Sequence, residues 1–503
     1  MPAAVLGVAA ATRLIGIEHP GGLVFDETYY VKDAESLRQL GYEGRWPDGV
    51  NKLWAAGTPG SPSDLASFIA HPPLGKWIIS LGLGALGAEN SASWRIGTAI
   101  AGVVLVALVM LLAHLLFTRL VLTGIAGLLI AIDGNAIVMS RVALLDGMLA
   151  VLIVLGVVFI VLDRRRVRRS LKAWLATRHA SYPPRSTDWG PVFWNRPWLV
   201  AAGVTFGLAT GVKWNALYLL AAFAVLTVVA DALERRRAGV AIWASGTLLR
   251  QAPVSFLSLI PGAVAVHLLT WWGWFVTSGG YGRDREVTDE NRLPSILGSL
   301  PDALQNWWQY QTAIYGYHVN ESSQHNYEAP AIGWPLLLRP TYMHYLDLDN
   351  GTAEAITGIP NPFIWWGSVA AVITVIALLI AVAIRRIRGL TGPELPADGW
   401  AIAVVLTGVF AGWLPWLLYP ERTMFFFYTI VITPFLVLAL TMLLGRVLGS
   451  PDDPAPRRAP GRTIVLLFLL FLLAVSAFFL PVWTGMPTPI DLIQLRYWLP
   501  TWI

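Results

Sequence analysis

The chain has 503 residues, of which 55% are hydrophobic and 13% charged, with a formal net charge of +5 and no cysteine. A soluble chain of this length carries about a quarter charged residues, so the balance excludes a soluble globular enzyme and indicates a polytopic membrane protein. The lack of cysteine excludes a disulfide framework, a thiolate metal site and a thiol nucleophile, and the modest positive charge gives no ground for nucleic-acid binding.

The opening segment 2–17 is apolar, short for a span, and lacks the basic flank of a cleaved leader, so it reads as a retained first helix. A polar stretch, 18–93, follows. It begins with Phe25-Asp26-Glu27-Thr28-Tyr29-Tyr30, passes a short helix predicted over 34–40 and a Gly/Pro-rich run over 44–62, and reaches His71-Pro72-Pro73-Leu74-Gly75-Lys76. The prolines start an apolar run, 77–87, too short to span comfortably and better suited to a half-embedded helix.

Ten further apolar stretches follow, at 96–117, 121–139, 142–162, 198–212, 215–232, 253–276, 363–384, 400–418, 424–445 and 463–483. Most are long enough to cross about 30 Å of hydrocarbon as helices, which brings the expected count to about eleven. With a cytoplasmic N-terminus, every basic loop falls inside: Arg164 to Arg169, Arg235 to Arg237, Arg385 to Arg388, and Arg457-Arg458. The inner segments 163–197 and 446–462 are basic and proline-bearing, as expected of mobile connections facing anionic lipid.

Two large segments then lie on the far side, 18–93 and 277–362, with a tail over 484–503. The second is dense in Trp, Tyr, His and Asn. Within it, Asp347-Leu348-Asp349 superficially matches a metal-binding Asp-x-Asp, but Asn350-Gly351 follows at once, and a hairpin turn is the expectation. No convincing metal-ligand spacing occurs, and neither a metal nor a cofactor is expected.

Once the helices are threaded, six separated features fall on the outer face. They are Asp26-Glu27, His71 with Lys76, Arg141 with Asp146, Lys213, the region of His325 and Tyr327, and Glu421-Arg422. An acid pair facing a group of cations is what deprotonating a hydroxyl beside an anionic leaving group requires. Arg141, at the headgroup level, can grip a phosphate in bidentate fashion, whereas Asp146, more than one turn deeper, is expected in a structural salt bridge.

These pieces, together with Gly211-Val212-Lys213-Trp214, Asn361-Pro362-Phe363-Ile364-Trp365-Trp366 and Glu421-Arg422-Thr423-Met424-Phe425-Phe426-Phe427-Tyr428, run through nearly the whole chain. In that order the chain resembles the bacterial protein O-mannosyltransferases of the actinobacterial type, integral-membrane glycosyltransferases of the GT-C fold that use a polyprenyl-phosphate sugar. The resemblance implies an all-α polytopic GT-C domain over 1–483. It implies Asp26 as catalytic base, Glu27 as a holder of the acceptor, and Arg141 as a contact to the lipid phosphate. Lys213, Arg422 and His325 are further candidates for stabilising the leaving phosphate, and His71, His325 and Tyr327 for the acceptor and donor loops. The segment 277–362 is too short for the β-trefoil domain of the eukaryotic members, which points to the bacterial subtype.

The activity so implied moves mannose from a polyprenyl-phosphate-mannose lipid to Ser/Thr hydroxyls of secreted proteins at the extracytoplasmic membrane face, inverting the anomeric centre without a metal. Acceptors would have to arrive unfolded, which fits association with the secretion machinery. Two alternatives are a polyprenyl-phosphate-dependent transferase acting on a lipid or cell-wall glycan, and a transporter of lipid-linked sugars. A transporter should gather its ionisable residues near the bilayer midplane.

Overall fold

A computed structural model describes residues 2–179, 188–390, 399–450 and 452–503. From the N-terminus, α1 (Pro2–Leu14) leads into α2 (Glu27–Leu40), α3 (Val50–Ala55) and α4 (Leu74–Leu86). The bundle continues with α5 (Ser91–Phe117), α6 (Leu120–Ala131), α7 (Gly134–Arg141), α8 (Leu145–His179), α9 (Pro197–Val212) and α10 (Ala216–Arg237). Next, α11 (Trp243–Gly246) runs through a π-helical turn into α12 (Ala252–Thr270), followed by α13 (Trp272–Val276) and α14 (Asp302–Asn320). A hairpin of β1 (Tyr342–Asp347) and β2 (Thr352–Thr357) precedes α15 (Pro362–Ile387), α16 (Gly399–Trp413), α17 (Thr433–Val447) and α18 (Ala455–Thr484). The tail forms β3 (Thr488–Pro489), which pairs antiparallel with β2, and α19 (Ile490–Gln494).

Among the described residues seven helices are long and apolar enough to cross a membrane, or eight if α6 and α7 form one broken span bent by 60°. The expected eleven is not reached on length alone. At 1.5 Å per residue, α1, α9 and α17, of 13, 16 and 15 residues, fall short of a bilayer's hydrocarbon.

The α6–α7 break is built rather than accidental, because backbone groups freed inside a bilayer need partners. Asp133 accepts from the Ala136 N–H at 3.0 Å and from the Asn361 N–H at 3.2 Å. Arg13 of α1 donates to the carbonyls of Ala131 and Ile130 at 3.0 and 3.1 Å.

The core runs along α8, where Leu145, Leu149, Ile153 and Val157 are fully buried. At its far end Arg196 joins Asp163 of α8, Asp231 of α10 (2.7 Å) and Ser255 of α12 (2.7 Å). That buried network gathers the basic ends of α8 and α10 on one side of the bundle. The acid pair, α4, α14 and the hairpin lie at the other.

Three local expectations change. The short helix predicted over 34–40 starts at Glu27, so the acid pair opens a helix instead of lying in a loop. The inner connection is helical from 163 to 179 because α8 carries on through Arg, Leu, Lys and Ala, all strong helix formers; its portion 180–187 lies outside the described residues. Residues 455–462 likewise belong to α18. The Asn350-Gly351 turn is a hairpin turn as expected, with Gly351 at φ +79° and Asp349 at φ +58°.

Candidate functional site

Asp26 takes the N-cap position of α2, yet its side chain makes no capping bond to that helix. Its carboxylate is therefore not consumed by backbone. Burial pushes the Asp26 pKa up to about 6, opposed by the Lys213 charge and reinforced by Asp146, with the Tyr30 hydroxyl acting to hold the ionised form. The preceding residue, Phe25, sits at φ +50°, a left-handed conformation that a bulky side chain adopts only where its surroundings enforce it. Its ring is wedged edge-on against His325, Phe425 and Phe427, at 6.0, 5.6 and 5.8 Å.

Glu27 is engaged from every side. Its carboxylate receives the Val24 and Ala143 N–H groups and the Nε and Nη2 of Arg95, all at 2.8 Å, and both ionised side chains are at most 1% exposed. Arg95, from the first turns of α5, also donates to the carbonyls of Pro20 and Gly22, at 2.7 and 2.8 Å. This fork ties the α1–α2 turn to α5 and to the α7–α8 junction. It leaves Glu27 no oxygen to offer an acceptor, contrary to the expectation from sequence. Close packing of α4 on α5 supports it: a Cβ at Gly82 would come within 2.1 Å of the Ser93 carbonyl.

Near the acid pair lies a cavity of about 210 Å³ whose wall includes His71, Asp146, Lys213, His318 and Arg422 but neither Asp26 nor Glu27; Lys213 and Asp146 connect it to Asp26, on which both act electrostatically. Lys213, just past the end of α9, pairs with Asp146 at 2.6 Å and lies 5.1 Å from the centre of the Tyr428 ring. The expected structural pairing of Asp146 is thus present, with Lys213 as its partner.

Arg422 donates through Nε to the His318 carbonyl at 2.9 Å and through Nη2 to His318 Nδ1 at 3.2 Å. Since His318 Nε2 donates to the Ala70 carbonyl at 2.6 Å, its ring is the neutral tautomer protonated on Nε2. Burial, helped by Arg422, lowers its pKa to about 4. His71 stacks on His318 at 5.0 Å, and burial together with Lys213 holds it well below the ordinary imidazole range. Two uncharged imidazoles, the Lys213–Asp146 pair and Arg422 therefore face the same space, which leaves the Arg422 guanidinium to offset an anion.

Arg141 is not part of it. Its guanidinium caps the C-terminal end of α1, donating to the carbonyls of Thr12, Ile15 and Gly16 at 3.3, 2.8 and 2.7 Å, and it is absent from the cavity wall. Those three bonds use both N–H groups of Nη1 and one of Nη2. Lys76 is buried in a pairing with Glu43 at 2.7 Å and Asp33 at 3.3 Å. His325 is exposed, its ring 4.9 Å from Phe425, and Tyr327 stacks on Tyr342 at 5.4 Å on the hairpin side, away from the cavity. Sequence reading missed Arg95, Tyr30 and His318. The available signal for Arg95 was an arginine at the mouth of an apolar helix with an unpaired acid on the same face.

Residues 3–180 match the family described as dolichyl-phosphate-mannose-protein mannosyltransferase, and residues 303–502 match the C-terminal four-span region of protein O-mannosyltransferases. A polyprenol-phosphate-mannose–protein mannosyltransferase of Mycolicibacterium smegmatis is 32% identical over 521 residues, covering 100% of this chain and 92% of that protein. The Mycobacterium tuberculosis protein of the same name is 30% identical over 514 residues, with 98% and 90% covered. Among solved structures, the Saccharomyces cerevisiae protein O-mannosyltransferase Pmt1–Pmt2 complex bound to the sugar donor superposes with a TM-score of 0.72 at 14% identity, covering 100% of this chain and 92% of that one, which shows a shared GT-C-type fold. The chain belongs to the polyprenol-phosphate-mannose–protein mannosyltransferase family.

Proposed function

We propose that the protein transfers mannose from a polyprenyl-phosphate-mannose donor to serine and threonine hydroxyls of secreted proteins, with Asp26 as the base. The observation that carries this reading is the juxtaposition of Asp26, uncapped and raised to a pKa of about 6, with Lys213 and Arg422 in the wall of the adjoining cavity. The acceptor oxygen attacks the anomeric carbon as Asp26 takes its proton and the bond to the phosphate oxygen breaks. The phosphate leaves as an anion, so no general acid is needed, and direct displacement inverts the anomeric centre. Arg422 and Lys213 stabilise the developing charge; removing one such contact costs about 3 kcal/mol of barrier. Glu27, held by Arg95, fixes the end of α2 that carries Asp26 and acts as a positioning residue.

The reaction so written uses no metal, so transfer should proceed unchanged in EDTA; activity lost to EDTA and restored by manganese would reassign the acids as ligands. We read eleven crossings, with α1, α9 and α17 completing the eight spans, residues 484–503 outside, and the site on the extracytoplasmic face. The basic ends of α8 and α10, gathered opposite the acid pair, support that orientation. Purified protein in lipid, given the mannosyl donor and either a Ser/Thr peptide, a lipid or a glycan acceptor, tests the reading. Transfer to the peptide supports it, and transfer only to lipid or glycan overturns it.

A further inference from the structure

We infer that Asp146 and Asn215 read hydroxyl groups of the donor's sugar and so select which sugar is transferred. This rests on the functional reading above, in which the cavity takes a polyprenyl-phosphate sugar. Asp146 is 1% exposed, and its Oδ2 is held by Lys213 at 2.6 Å. Its other oxygen, Oδ1, is buried and meets no donor among the described residues, and the same is true of Asn215 Oδ1. Both residues line the cavity. Buried acceptors are almost always satisfied, and one left bare costs about 1–3 kcal/mol, so two on one cavity wall indicate a ligand that donates.

A phosphate cannot be that donor, because its oxygens only accept. It matches the opposite chemistry in the same cavity, where the Arg422 guanidinium, which interacts with the Tyr428 hydroxyl, keeps Nη1 buried without an acceptor at hydrogen-bonding geometry among the described residues. The wall is therefore divided: bare donors at Arg422 for the phosphate, bare acceptors at Asp146 and Asn215 for sugar hydroxyls. Asp146 also acts electrostatically on Asp26, so a sugar held there lies beside the base. Lys213 fixes the Asp146 carboxylate with one oxygen engaged and the other free for a hydroxyl.

The test is the ratio of kcat/KM for the natural mannosyl donor to that for donors lacking each sugar hydroxyl in turn, measured in the wild-type protein, Asn215→Leu and Asp146→Leu. In the wild type, deleting a hydroxyl read by either residue lowers kcat/KM roughly ten- to hundred-fold, the effect of one unpaired buried acceptor. Asn215→Leu loses a comparable factor with the natural donor but no longer discriminates against one particular deoxy donor. Asp146→Leu, which can neither accept from nor donate to a hydroxyl, ceases to discriminate against a different one. A ratio taken within one protein does not depend on how much of it is folded, so misfolding cannot mimic the result. A wild type that treats all deoxy donors alike, or variants that keep its pattern of discrimination, would overturn the inference and mean that the acceptors hold only water. A wild type unable to use the mannosyl donor at all would instead overturn the functional reading, and this inference with it.

Discussion

Replacing Glu27 by glutamine separates a positioning role from a substrate-binding one. Glu27 accepts four hydrogen bonds, each at 2.8 Å, two of them from an arginine as deeply buried as itself. Glutamine keeps the shape but has one acceptor oxygen, and its amide group would meet donors that lose their partner. Breaking a buried ion pair by removing one member costs about 3–5 kcal/mol, because the remaining charge stays desolvated. With an unfolding entropy of about 2.1 cal/mol/K per residue over 503 residues, that corresponds to a fall in Tm of about 3–5 °C. Thermal unfolding in detergent should show this drop, and mannosyl transfer should fall through turnover because the end of α2 that presents Asp26 is loosened. A Glu27→Gln protein with wild-type Tm and only a raised KM for the acceptor would refute the reasoning, since that is how a group contacting the acceptor behaves.

Because Asp26 must be ionised to act and its pKa lies near 6, kcat/KM should rise about tenfold per pH unit below pH 6 and level off above it. Lys213 is the largest influence opposing the shift, so Lys213→Gln should move the acid limb to higher pH; an unmoved limb in that variant would dissociate Asp26 from the profile. Arg141→Lys should lose at least one of three carbonyl contacts at the end of α1, lowering stability by about 1–3 kcal/mol while leaving the donor KM unchanged, and a raised donor KM would return Arg141 to the phosphate. Arg422→Gln should lower kcat/KM about a hundredfold, with Arg422→Lys in between, and a wild-type rate in both would put the phosphate elsewhere.

Hydropathy alone located the long spans, because in lipid a backbone must satisfy itself locally and a helix is written in a contiguous stretch of sequence. The Asn350-Gly351 turn and the pairing of Asp146 were legible for similar reasons, the first from turn chemistry and the second from the cost of a lone carboxylate in a bundle. What stayed hidden depends on where side chains point after packing. Arg95 meets Glu27 across 68 residues of sequence, a contact no local pattern encodes. Arg141 sits at the expected end of its helix, but the end of α1 lies against it and takes its guanidinium. His318 looked like one more polar residue in an aromatic loop until α14 brought it against Arg422 and His71. At α1, α9 and α17 the helix is short, so length alone gives seven or eight spans among the described residues where hydropathy reads about eleven.

Asp26 is the one group in the proposed mechanism that accepts the hydroxyl proton. Single-turnover transfer from polyprenyl-phosphate-mannose to a serine-containing peptide, measured with purified wild-type and Asp26→Asn proteins of matched Tm and donor affinity, isolates the proton-acceptor step. With Asp26 as base, the wild type transfers mannose and the variant loses at least a hundredfold, the scale on which a positioned base contributes. An Asp26→Asn protein that binds donor and transfers mannose at the wild-type rate would contradict that role.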